Sequence, residues 1–98
     1  MKFANYIHYV QDADAVAAIR RTHRAYLHGL LERGQLAAAG PFADGTGALF
    51  IYEIDTIEAA RALAEADPYT LGGVIKQQTI TPWVLVYSNP ELLHQPGE

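Results

Sequence analysis

The 98-residue chain has room for one hydrophobic core and not for two domains, and a deep cavity is hard to enclose in so small a body without a second subunit. A formal net charge of −4 argues against a nucleic-acid binder, which needs a basic stripe, and the absence of cysteine excludes disulfides, thiolate nucleophiles and thiolate zinc sites. No basic stretch followed by an apolar leader opens the chain and no apolar run nears the ~20 residues of a membrane span, so no membrane partner and a soluble cytoplasmic protein are expected.

Lys2 to Val10, rich in aromatic and branched residues, reads as a strand, and the acidic turn residues Asp12 and Asp14 announce a helix. That helix is expected from about Ala13 to Arg33, with Gly34 as its left-handed C′ residue. Gln35 to Phe42 and Gly47 to Ile54 read as the two arms of a hairpin closed by Ala43-Asp44-Gly45-Thr46. Asp55 or Thr56 can cap a second helix that runs through Ala66 and is ended by Asp67-Pro68, because proline disfavours helical geometry in the residue before it. A turn at Tyr69 to Gly73 leads into a long last strand, Val74 to Tyr87, with Pro82 marking a bulge or an edge. The domain is therefore placed at residues 1–88, with 89–98 as a C-terminal tail.

The order β-α-β-β-α-β predicts an α+β, ferredoxin-like fold, a four-stranded antiparallel sheet with both helices on one face. The other face is predicted to be apolar as well, since Leu49 and Ile51 alternate with Phe50, Tyr52 and Ile54, and Phe3 and Ile7 with Tyr6 and Val10. The simplest cover for it is a second copy of the same sheet, so a homodimer is expected.

At ~100° per residue the first helix carries an apolar stripe of Val16, Ile19, Tyr26, Leu27 and Leu30, with His23 in its middle and Arg20 on its border. A titratable group there must find a partner or stay neutral, whether as a satisfied core residue or as part of a site. Asp67 is a second oddity, a carboxylate at the negative end of the second helix, although a plain Asp-Pro turn also accounts for it. His28 projects about 140° away from His23, His8 lies on a strand and His94 in the tail, so no zinc-site spacing arises. Ser88 is the only serine and has no nucleophile-elbow sequence around it, and neither Asp44-Gly45-Thr46-Gly47 nor Gly72-Gly73 forms a phosphate-binding loop.

Taken in order, Arg20-Arg21-Thr22-His23-Arg24-Ala25-Tyr26-Leu27, Gly34, Ala39-Gly40-Pro41, Ala66-Asp67-Pro68-Tyr69, Gly73-Val74 and Pro82-Trp83 resemble the YciI-like (YCII) family over nearly the whole chain. The resemblance implies a dimeric α+β barrel with a histidine-aspartate site in a cleft. His23 matches the family histidine in Arg-x-x-His, Asp67 the aspartate in Asp-Pro-Tyr, and Gly40-Pro41 the turn beside the cleft. The hairpin is short and lacks the insertion that some relatives carry. An activity known in the family is dehydrochlorination of a chlorinated hydroxyhydroquinone, and muconolactone isomerases share the barrel. The resemblance thus implies a cofactor-independent lyase or isomerase acting on a small oxygenated ring compound, with no metal. His23 would be the general base and Asp67 its orienting partner, Arg20 would stabilise an oxyanion, and Tyr69 would stack on the ring. The alternative is a non-catalytic small-molecule binding or accessory protein with the same pocket.

Overall fold

The computed structural model describes residues 1–94. Strand β1 (Lys2–Tyr9) is followed by helix α1 (Ala13–Glu32), whose first free amides are met by Asp12, its carboxylate accepting from Ala15 N at 3.0 Å. The helix ends at Arg33, and Gly34, at φ +73°, turns the chain out in the left-handed conformation expected of it. Strands β2 (Leu36–Pro41) and β3 (Gly47–Glu53) form the hairpin, its turn held by Asp44, which accepts from the Thr46 amide at 3.0 Å and hydroxyl at 2.7 Å. Of the two proposed caps for α2 (Ile57–Glu65), Thr56 is the one used, its hydroxyl accepting from Ala59 N. The short helix α3 (Pro68–Leu71), strand β4 (Ile75–Trp83) and a 3-10 turn (Pro90–Leu92) complete the described chain.

The sheet order is β2-β3-β1-β4, antiparallel throughout, which is the ferredoxin-like α+β arrangement. Phe3, Asn5 and Ile7 of β1 share a face with Ala48, Phe50 and Tyr52 of β3, and their apolar members join Val16 and Leu30 of α1, Ala60 and Ala64 of α2 and Tyr69 of α3 in one core. One close approach fixes the strands. Gly47 lies against β1 so tightly that a Cβ there would run into the Ile7 carbonyl.

Two expectations are corrected. The stretch after Asp67, expected as a turn at Tyr69 to Gly73, is a short α-helix, because Pro68 sits at a first helical position, where its missing amide costs nothing. The last strand stops at Trp83, because β1, its only neighbour among the described residues, pairs Lys2 with Trp83 and has no further ladder residue to offer. Val84–Tyr87 therefore stands exposed and unpaired in the chain as described. Pro82 lies on edge strand β4, whereas the ladder irregularity falls between His8 and Tyr9. Residues 95–98 of the expected tail lie outside the described residues. On the sheet face away from the helices Tyr6 and Leu49 are exposed, and Ile51 is buried but outside the core cluster.

Candidate active site

α1 carries His23 on its inner face, buried with Val16 and Leu30. Asp67 reaches it from the junction of α2 and α3. Asp67 does not suffer the opposed dipole that its position after α2 suggests. It is the N-cap of α3, and its Oδ1 accepts from Tyr69 N at 2.9 Å, so it faces the positive end of a helical turn. The same oxygen lies 2.7 Å from His23 Nδ1, and since the carboxylate can only accept, Nδ1–H donates. Both side chains are almost sealed, with His23 4% and Asp67 2% exposed, and Asp67 Oδ2 is buried with no hydrogen-bond partner among the described residues.

α3 is braced on both sides. The Thr70 hydroxyl donates to Ala64 O at 2.6 Å, sharing that carbonyl with the Asp67 amide at 3.2 Å, and the Tyr26 hydroxyl ties α1 to the same end of α2 through Leu63 O at 2.7 Å. Gly72 packs so closely on α1 that a Cβ would meet the Ile19 side chain. With α3 fixed, the Tyr69 ring stacks on His23 at 3.8 Å and 14°, and Phe50 meets the imidazole from another side at 5.4 Å. The imidazole is thus held by one hydrogen bond and two rings. Nε2 is the nitrogen left for chemistry.

That ring looks into an open cleft of about 1040 Å³ lined by α1, the hairpin, the end of β1 with the loop after it, Tyr69 of α3 and Lys76 of β4. His23, Arg20, Gly40, Pro41 and Tyr69 all line it, whereas Asp67 does not and stands behind the histidine. One face of Tyr69 is already covered by His23, so it packs the imidazole before it could serve as a platform for a ligand. His28 lies apart, paired with Glu32 at 2.7 Å, and His8 at the cleft edge has its Nε2 3.0 Å from the Tyr6 hydroxyl. Among the described residues no three His, Cys, Asp or Glu side chains gather as metal ligands would.

The lining also holds Tyr9, Arg24, Phe50 and Lys76, none of them singled out from the sequence as a site residue. Burial pushes the Tyr9 phenol up to about 12, helped by neighbouring Tyr69, while the charges of Arg20 and Arg24 pull the other way. Burial, aided by the negative charge of Asp67, also raises Tyr26 and Tyr52, and Tyr52 accepts a hydrogen bond from Asn5 Nδ2 at 3.1 Å. The carboxylate therefore looks onto neutral phenols.

Residues 1–84 match the family model of the YCII-related domain. The chain belongs to the YCII-related family. Protein YciI of Escherichia coli O6:H1 is 35% identical over 96 residues, covering 84% of this chain and 98% of that protein, and YciI of Shigella flexneri matches equally. The uncharacterized protein YjpA of Bacillus subtilis is 35% identical over 63 residues, 64% of this chain and 73% of its own length. Among solved structures, 5-chloro-2-hydroxyhydroquinone dehydrochlorinase (TftG) of Burkholderia phenoliruptrix AC1100, complexed with 2,5-dihydroxybenzoquinone, superposes with a TM-score of 0.77 at 22% identity, covering 86% of this chain and 94% of that one. At that identity the likeness establishes the fold and not the reaction.

Proposed function

We propose that this protein is a cofactor-independent lyase or isomerase acting on a small oxygenated ring compound, as in the dehydrochlorination of a chlorinated hydroxyhydroquinone. The observation that carries the reading is the 2.7 Å contact between buried His23 Nδ1 and Asp67 Oδ1, with the histidine on the cleft and the aspartate behind it. A carboxylate so placed fixes the tautomer and leaves Nε2 as the acceptor for a substrate proton.

On a chlorinated trihydroxybenzene, two hydroxyl protons leave oxygen. One is returned to the ring carbon that bears chlorine, and the other is lost as the C–Cl bond breaks and chloride departs with the bonding electrons. The product is a hydroxyquinone plus HCl, so atoms and electrons balance without an external oxidant. His23 Nε2 takes and returns the mobile proton, Asp67 holds the imidazole in position, and Arg20 faces the oxyanion that develops. On a ring lactone the same base moves a proton between carbons. We also propose that the protein works as a homodimer joined through the outer sheet face around Tyr6, Leu49 and Ile51, a second copy supplying the wall that so small a body lacks.

The test is turnover of chlorinated hydroxyhydroquinones and ring lactones, followed by chloride release and by mass analysis of the product. His23→Gln is expected to lower the rate by roughly 10²–10⁴, the usual contribution of a positioned acid-base group. A variant as active as the parent, or a ring compound that binds and is recovered unchanged, removes the catalytic reading.

A further inference from the structure

Although the chain is acidic, its cleft is not. Three of its 7 lysines and arginines line the cleft, namely Arg20, Arg24 and Lys76, against one of its 11 acidic residues, Asp12. Asp12 is occupied, its carboxylate capping α1. None of the three cations has a carboxylate within ion-pair distance among the described residues, where the pairs are Met1 and Lys2 with Glu53, His23 with Asp67, and His28 with Glu32. Arg20 and Arg24 are also one helical turn apart and open on the same cleft, so their charges repel and the helix is better off without one of them. Helical propensity does not account for such a pair, whereas a bound anion does.

We infer that the cleft takes its substrate as an anion, a ring compound with an ionised oxygen that Arg20 and Arg24 hold, with Lys76 as a third cation and Tyr9 as a neutral hydrogen-bond donor. The inference rests on the reading of this cleft as the substrate site and adds the substrate's charge to it. Tyr9 stays protonated throughout the ordinary pH range, so it can donate to an oxyanion, and the fields of both arginines reach it. Val16, Leu27, Pro41 and Phe50 give the ring body an apolar wall, so the fitting ligand is flat, apolar in the middle and charged at one edge. Nothing in the lining resembles the glycine-rich amide nest that a polyphosphate requires.

The experiment is calorimetric titration with 2,5-dihydroxybenzoate and its uncharged analogue 2,5-dihydroxybenzamide, on the unmodified protein and on the Arg20→Gln/Arg24→Gln double variant. The acid is expected to bind about tenfold more tightly than the amide, the size of a charge-assisted contact. In the double variant that preference disappears, and on the unmodified protein it shrinks as salt is raised while amide binding holds. Both substituted positions are exposed, so the variant is expected to melt with the parent; the salt series needs no variant at all. Equal binding of acid and amide, a preference that survives the double substitution or added salt, or no saturable binding of the acid at millimolar concentration overturns the inference. No step of this test requires turnover, so a failed catalytic assay and a failed charge preference remain separate results.

Discussion

Asp67→Ala removes an acceptor that two groups share. Tyr69 N loses the cap of α3, which costs about 1 kcal/mol. His23 Nδ1–H, on a side chain that is 4% exposed, is left without a partner, which costs about 1–3 kcal/mol more. Those costs come to about 2–4 kcal/mol; against them the buried Oδ2 that has no partner also disappears, so a net loss of about 1–3 kcal/mol is expected. For a domain of this size that lowers Tm by roughly 5–20 °C. Asp67→Asn keeps Oδ1 for both donors and puts an amide nitrogen where Oδ2 already lacks a partner, so it is expected to cost only about 1 kcal/mol. Reversible urea denaturation at neutral pH, followed by circular dichroism, separates the two variants.

A double-mutant cycle isolates the contact itself. His23→Leu strands a buried carboxylate and is expected to destabilise by about 3–5 kcal/mol, whereas adding Asp67→Ala to it returns part of that loss. The coupling energy should fall at about 1–3 kcal/mol. An Asp67→Ala variant that melts within about 2 °C of the parent, or a cycle that closes to zero, refutes the claim that this carboxylate holds the imidazole.

Three further outcomes follow from other contacts. Gly72→Ala should push α3 away from α1, because the added Cβ meets the Ile19 side chain and lies 3.0 Å from Pro68 O; proton shifts of the His23 ring, which report its stacking on Tyr69, should move even if Tm hardly changes. Tyr9 titrates at about 12 in the folded chain against about 10 when unfolded, so its contribution is complete below pH about 10 and is lost as pH rises towards 12. Urea midpoints measured across that window should fall, and less steeply in Tyr9→Phe. Leu49→Lys, on the outer sheet face, should convert the proposed dimer to a monomer by sedimentation velocity, and a parent that already sediments as one subunit rules the dimer out.

Much of this fold is legible in the sequence, for reasons that particular residues show. The first helix is marked at both ends, by Asp12 and Gly34, and its stripe is long enough for the period to identify His23 as the misfit. The hairpin is marked by Asp44 and Gly45. Asp67-Pro68, in contrast, reads two ways, since a proline that ends one helix also suits the first position of the next, and a four-residue helix is too short to show a period. Val84–Tyr87 has every local property of a strand. Whether such a segment pairs depends on what its neighbour still offers, and β1 offers nothing beyond Lys2.

Two of the cleft's three cations, Arg24 and Lys76, escape a sequence reading for a different reason. Arg24 and Lys76 come from α1 and β4 and Tyr9 from β1, and only the sheet order brings them to one opening. Their arrangement bears on how the site reconciles two opposed demands. A histidine tied to a carboxylate works best away from water, where the hydrogen bond is strong, whereas a charged ligand needs a wet entrance. Here α3 sets the division. It presents Asp67 and the Tyr69 ring to the buried side of His23, and the arginines of α1 stand exposed on the open side. The shortest α-helix among the described residues thus fixes which nitrogen of His23 is held and which one meets the cleft, and a shift of α3 alone would alter the site while the sheet beneath it stayed in place.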